Sequence, residues 1–115
     1  MRKKNYKGRC EKRVLEKCEG ICKTYDPVQA AYAEMLAKRE DVMKIQCNVL
    51  LDGNEEEYMT DFLCQRMDGT YFVRECTTRA ALYRPMTEKL LDRSRMYWQR
   101  HGIMDWGIVV DAACK

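Results

Sequence analysis

EYMTDFLCQRMDGTYFVRECT, residues 57–77, holds two runs of β-type residues on either side of Asp68-Gly69. An Asp-Gly pair between such runs is a strong hairpin signal. Asp61 lies on the first arm and Glu75 on the second. Acidic residues are depleted in strand interiors because they pack poorly on a half-buried surface, so two of them on adjacent strands ask for a reason. A divalent cation held by oxygen ligands is one such reason.

The length of the turn decides whether the two acids meet. A two-residue loop, Asp68-Gly69, pairs Met67 with Thr70; Asp61 then faces Cys76, and Glu75 points to the other side. A three-residue loop, with Gly69 left-handed in a bulge, pairs Arg66 with Thr70 and sets Asp61 opposite Glu75. Side chains alternate along a strand, so a slip of one residue changes every pairing. Like charges directly opposite each other cost roughly 0.2–1 kcal/mol, and a cation between them reverses that sign.

Outward from the hairpin, the elements follow from local signals. Asp26-Pro27 is a helix start, with Asp as N-cap and Pro in the first turn. Val28, Ala31, Tyr32, Met35 and Leu36 then recur at helical spacing as far as Arg39. VMKIQCNVLL (42–51) alternates and reads as a strand; Asp52-Gly53-Asn54 is a turn, and Glu55 to Glu57 are expected to be exposed. A long helix is expected from Pro85–Thr87 to His101, capped by Gly102. Its inward stripe is Leu90, Ser94, Tyr97 and His101, flanked by Leu91 and Trp98, and Lys89, Arg93 and Arg100 line a neighbouring face. WGIVVD (106–111) is a continuous apolar run of buried-strand type. The order is helix, three antiparallel strands, a crossover helix and a parallel strand, an α/β class with a mixed sheet flanked by helices. Residues 27–115 form this domain. Residues 1–26 are expected to form a basic arm, mobile over 1–9 and with a possible short helix over 10–19 ending near Gly20.

The net charge of +3 conceals an asymmetry. Residues 1–24 carry nine Lys or Arg against three Glu, whereas the remainder is acidic. A second basic concentration runs from Arg74 to Arg100. A basic arm and a basic helix on an acidic domain suit a polyanion, the ordinary alternative being a solvated face. No apolar run is long enough to span a membrane, and no hydrophobic stretch follows the basic N-terminus. Seven cysteines, an odd number without an export signal, are expected as reduced thiols in the cytoplasm.

VMKIQCNVLL, YMTDFLC, YFVREC and above all MYWQRHGIMDWGIVVD, over residues 27–111, resemble the N-terminal catalytic domain of TnsA-type transposon endonucleases. That family has the PD-(D/E)XK, or restriction-endonuclease-like, fold, whose core order is α-β-β-β-α-β. The resemblance implies a metal-dependent DNA endonuclease acting in transposition, in which acids hold Mg²⁺ or Mn²⁺ for hydrolysis of a phosphodiester. Asp61 matches the motif Asp and Glu75 the motif acid, and both are the implied metal ligands. The motif Lys falls on Thr77, and the early-helix Glu falls near Gln29; both are departures. Lys89 or Arg93, on the following helix, could supply the missing charge, and Glu34 shares the helix of Gln29. The implied partners are DNA and a transposase subunit or a second copy, with no membrane. The sequence ends soon after the closing strand, so the C-terminal DNA-binding domain of many such enzymes is not expected. DNA contact then falls to Lys3, Lys4, Lys7 and Arg9 of the arm and to Arg79, Arg93 and Arg100. The alternative is an inactive nucleic-acid-binding or subunit-docking module on the same fold.

Each of these residues has a plainer reading. Asp61 and Glu75 could be a structural pair satisfied by Arg74, Arg79 or backbone donors. Cys10, Cys18 and Cys22, with Cys76 or Cys114, could bind zinc, but there is no pair of CxxC motifs, and burial accounts for Cys18 and Cys22. His101 reads as a helix-end cap. Trp98, Tyr97 and Trp106 read as packing residues, and Arg93, Arg95 and Arg100 as a solvated face or phosphate contacts.

Overall fold

The hairpin takes the bulged form. Arg66 N donates to Thr70 O at 2.8 Å, Gly69 N donates to Arg66 O at 2.9 Å, and Gly69 has φ +89°. That left-handed backbone favours glycine. Asp68 Oδ1 accepts from both Thr70 N and Thr70 Oγ1, which closes the turn from outside. The register follows, with Phe62 against Arg74 and Gln65 against Tyr71.

The computed structural model describes residues 2–3, 11–14, 17–18, 20–51 and 58–110. In chain order the elements are β1 (Arg2–Lys3), β2 (Glu11–Val14), β3 (Ile21–Thr24), α1 (Pro27–Lys38), β4 (Val42–Leu50), β5 (Tyr58–Arg66), β6 (Tyr71–Cys76), α2 (Arg79–Leu82), α3 (Pro85–Arg100) and β7 (Trp106–Val109). β5 pairs antiparallel with β4, β6 and β1, and β7 runs parallel to β6 at the edge. The protein is therefore mixed α/β, with helices on a mixed sheet. No helix among the described residues is long and apolar enough to cross a membrane.

Alternation along the strands builds two cores. On one face Val28, Tyr32, Ala33 and Leu36 of α1 meet Val42, Ile45, Phe62, Cys64, Phe72 and Cys76. On the other, Leu90 and Trp98 of α3 meet Val73 and Leu51. Both helices begin and end for local reasons. Asp26 Oδ1 accepts from Gln29 N at 2.8 Å at the start of α1. At the end of α3, Gly102 N donates to Gln99 O and Ile103 N to Trp98 O, with Gly102 at φ +82°. That pair of bonds satisfies carbonyls the helix would leave open.

Four expectations are corrected. Residues 10–19 are not helical where described: β2 pairs with β3 as an antiparallel hairpin. Burial of Cys22 and Thr24 outweighs the local helical spacing, and Cys22 belongs to the α1-side core. Arg2–Lys3 is not loose arm, because its backbone pairs with Met59 and Tyr58. His101 does not belong to the inward stripe of α3, which consists of Leu90, Leu91, Ser94 and Trp98, with Tyr97 half-buried; His101 is exposed at the C-cap and stacks on Tyr97. β7 is half-buried rather than buried, because it is the edge of the sheet, and Ile108 is 41% exposed. An additional short helix, α2, precedes α3, with Thr78 Oγ1 accepting from Ala81 N at 3.1 Å. Lys4, Lys7, Arg9, Cys10, the 52–57 turn and Cys114 lie outside the described residues.

Candidate functional site

One step beyond the Phe62–Arg74 pair, the register carries Asp61 to Glu75, as the bulged turn requires. In the neighbouring ladder, Cys47 pairs with Phe62 and Val49 with Thr60, so Asn48 lies beside Asp61. Glu75 pairs in turn with Ile108 on β7. Asn48, Asp61 and Glu75 thus form a polar row across the middle of the sheet. The pleat is irregular there. Asn48 has φ +54°, and Thr60 turns toward α3 although alternation with Phe62 and Cys64 would send it toward α1. A non-glycine residue with positive φ is uncommon, and such distortions concentrate at functional sites.

Both acids are fully buried. Their carboxylates enter the ladder itself: Asp61 N donates to Glu75 Oε1 at 2.9 Å, and Cys76 N donates to Asp61 Oδ2 at 2.7 Å. The other oxygen of Glu75, Oε2, accepts from Thr60 Oγ1 at 2.8 Å and from Ser94 Oγ at 2.5 Å. Each hydroxyl in turn accepts from an indole, Trp98 Nε1 to Thr60 at 2.8 Å and Trp106 Nε1 to Ser94 at 2.9 Å. An indole can only donate, so its contact leaves each hydroxyl proton for Glu75. The polarity of the whole network is thereby set, from two tryptophans through two hydroxyls to one carboxyl group. Burial, with the charge of Asp61 next, pushes the Glu75 carboxyl up to about 7, and the bonds from Ser94 and the Asp61 amide oppose that shift. Of the donors proposed for a structural pair, the backbone serves both acids. Arg74 instead reaches Asp105 at 2.9 Å and lies with Arg39 and Arg66 around the Phe72 ring.

Gln29 is buried at the first turn of α1. Its Oε1 accepts from Tyr25 N at 2.9 Å, and its Nε2 donates to Asn48 Oδ1 at 3.0 Å. Gln29 therefore joins the row through Asn48. Glu34 is exposed on α1. Thr77 is buried just past β6, and its hydroxyl donates to Thr78 O at 3.4 Å. Lys89 is exposed, and its side chain makes no hydrogen bond or ion pair among the described residues, so α3 presents it to solvent rather than to the acids. Arg79, Arg93, Arg95 and Arg100 are also exposed, and Arg95 pairs with Asp92 at 3.3 Å. Burial, followed by the charge of Asp61, raises the Cys76 thiol, which suits a packed sulfur and not a nucleophile.

Thr60, Ser94, Trp98, Trp106 and Asn48 complete the site, and the sequence did not single them out for it. A serine on an otherwise apolar helix stripe was the one available signal. Neither a family model nor a curated protein matches the chain.

Proposed function

We propose that the chain is a restriction-endonuclease-like domain acting as a metal-dependent DNA endonuclease, similar to the catalytic domain of TnsA-type enzymes. The observation that carries this reading is the buried pair Asp61 and Glu75, adjacent across β5 and β6 within the order α1, β4, β5, β6, α3, β7. Two carboxylates buried together raise each other's energy, as the displaced Glu75 reflects. A hard divalent cation relieves that repulsion, and carboxylate oxygens are its preferred donors. Asp61 and Glu75 would hold Mg²⁺ or Mn²⁺, which when bound would supply charge to the scissile phosphate. Thr60 and Ser94 orient the Glu75 carboxylate, the two indoles orient the hydroxyls, and Gln29 with Asn48 closes the α1 side. Thr77 offers a hydroxyl but no positive charge where the family has a lysine. Arg79, Arg93 and Arg100, with Lys3, Lys4, Lys7 and Arg9, would meet phosphates, so binding should weaken steeply with salt.

A second reading, a non-catalytic DNA-binding or docking module, draws on a specific observation. Both hydroxyl protons point at Glu75 Oε2, and they would have to turn away before that oxygen could face a cation. Nicking of supercoiled DNA in Mn²⁺ separates the two readings. The endonuclease reading expects cleavage by the wild type and its loss in Asp61→Ala. DNA retention without cleavage by either protein would instead favour the docking module, and no DNA binding at low salt would remove both.

A further inference from the structure

Cys18, Cys22 and Cys47 come from three separate stretches: the segment before Gly20, β3 and β4. Their sulfurs all lie within 4.8 Å of one another, and the Cys18 and Cys47 sulfurs are 3.5 Å apart. Backbone and side-chain hydrogen bonds hold the three stretches together independently of the sulfurs. Cys18 forms a parallel bridge with Ile45, and Ile45 N donates to Lys17 O at 2.9 Å. Lys17 Nζ donates to the carbonyl of Arg39 at the end of α1. Asn48, next to Cys47, donates from Nδ2 to the carbonyl of Lys23, next to Cys22, at 2.7 Å.

Zinc–sulfur bonds of about 2.3 Å in a tetrahedron set ligand sulfurs roughly 3.8 Å apart. The triad has nearly the dimensions of one face of that tetrahedron. Cys18 and Cys47 are only partly buried, which leaves a solvent side for a fourth ligand such as water.

We propose that Cys18, Cys22 and Cys47 form a thiolate site for a soft tetrahedral cation, zinc, that clamps the β2–β3 hairpin to β4. Sulfur donors of this kind select zinc over the hard cations that suit carboxylates. Each cysteine gives up its proton to solvent as it ligates, and the cation then balances charge that burial would otherwise exclude. Burial raises the Cys18 thiol, and contact with Cys22 together with burial raises that of Cys47. The clamp is independent of the endonuclease reading, since none of its three ligands is assigned to DNA cleavage.

Cobalt titration of the reduced full-length chain tests the site. Co²⁺ should produce the visible bands and sulfur charge-transfer absorption of a tetrahedral thiolate complex, saturate at one equivalent, and be displaced by Zn²⁺. Cys18→Ser, Cys22→Ser and Cys47→Ser should each abolish or blue-shift the bands, while Cys64→Ala should retain them. A measurement on the wild type alone guards against unfolding in the variants. One equivalent of zinc should slow alkylation of Cys18, Cys22 and Cys47, located by peptide mass spectrometry, by roughly tenfold or more. Absence of the cobalt bands, unchanged alkylation of the three, or a Cys18–Cys47 disulfide in place of metal uptake would overturn the proposal.

Discussion

The carboxylate row and the thiol triad meet on β4, at Asn48 and Cys47, yet they handle buried polarity in opposite ways. Around Glu75 the surrounding chain supplies the answer: an amide and two hydroxyls donate to its oxygens, and indoles set their direction. At the triad three sulfurs lie against one another, each a weak donor and a weak acceptor. A hydrogen-bonded buried acid can be architecture alone, whereas sulfurs gathered from three stretches gain little from one another. The difference teaches that burial of a polar group is a poor guide to its role until the donors around it are counted.

The hardest test of the row is Glu75→Ala. It strands the Asp61 amide and the hydroxyls of Thr60 and Ser94, at about 1–3 kcal/mol for each unsatisfied buried group. Urea unfolding should therefore show a loss of ~3 kcal/mol or more, and a near-neutral result would mean that the network does not organise the fold.

The protonation of Glu75 sharpens the same contrast. Its carboxyl is raised from an ordinary 4.5 to about 7, so between those values the folded protein holds more protons than the unfolded chain. The contribution of this group to stability is complete below about pH 4.5 and is lost as pH rises through 7. The loss is on the order of 3 kcal/mol at most. Glu75→Gln should flatten that part of the stability–pH curve; an unchanged slope would assign it to other groups.

Zinc should act on the triad and leave the row alone. At free zinc a hundredfold above the dissociation constant, binding to the folded state adds about 2.7 kcal/mol, visible as a rise in the unfolding midpoint. The same rise in a Cys47→Ser variant would break the comparison. The smallest effect belongs to Ser94→Ala, which leaves Glu75 its bonds from Thr60 and the Asp61 amide but strands the Trp106 indole. A loss of about 1–2 kcal/mol is expected by denaturant titration, and a stabilised variant would count against the relay from indole to carboxylate.

Much of the frame was legible because its signals are local. Asp68-Gly69 marked the turn and left two registers open, and the bulged form that the structure adopts brings Asp61 to Glu75. Asp26-Pro27 started α1, Gly102 stopped α3, and the apolar run at residues 106–109 returned as a strand parallel to β6. Tertiary structure alone decided that residues 11–14 pair as a strand, that His101 faces solvent, and that Cys47 joins Cys18 and Cys22. It also brought Trp98 to Thr60, 38 positions away in the chain. A turn or a cap is written in neighbouring residues, whose backbone geometry they themselves constrain. The partner of a buried hydroxyl or sulfur depends on which distant elements exclude water together, and no spacing along the chain encodes that.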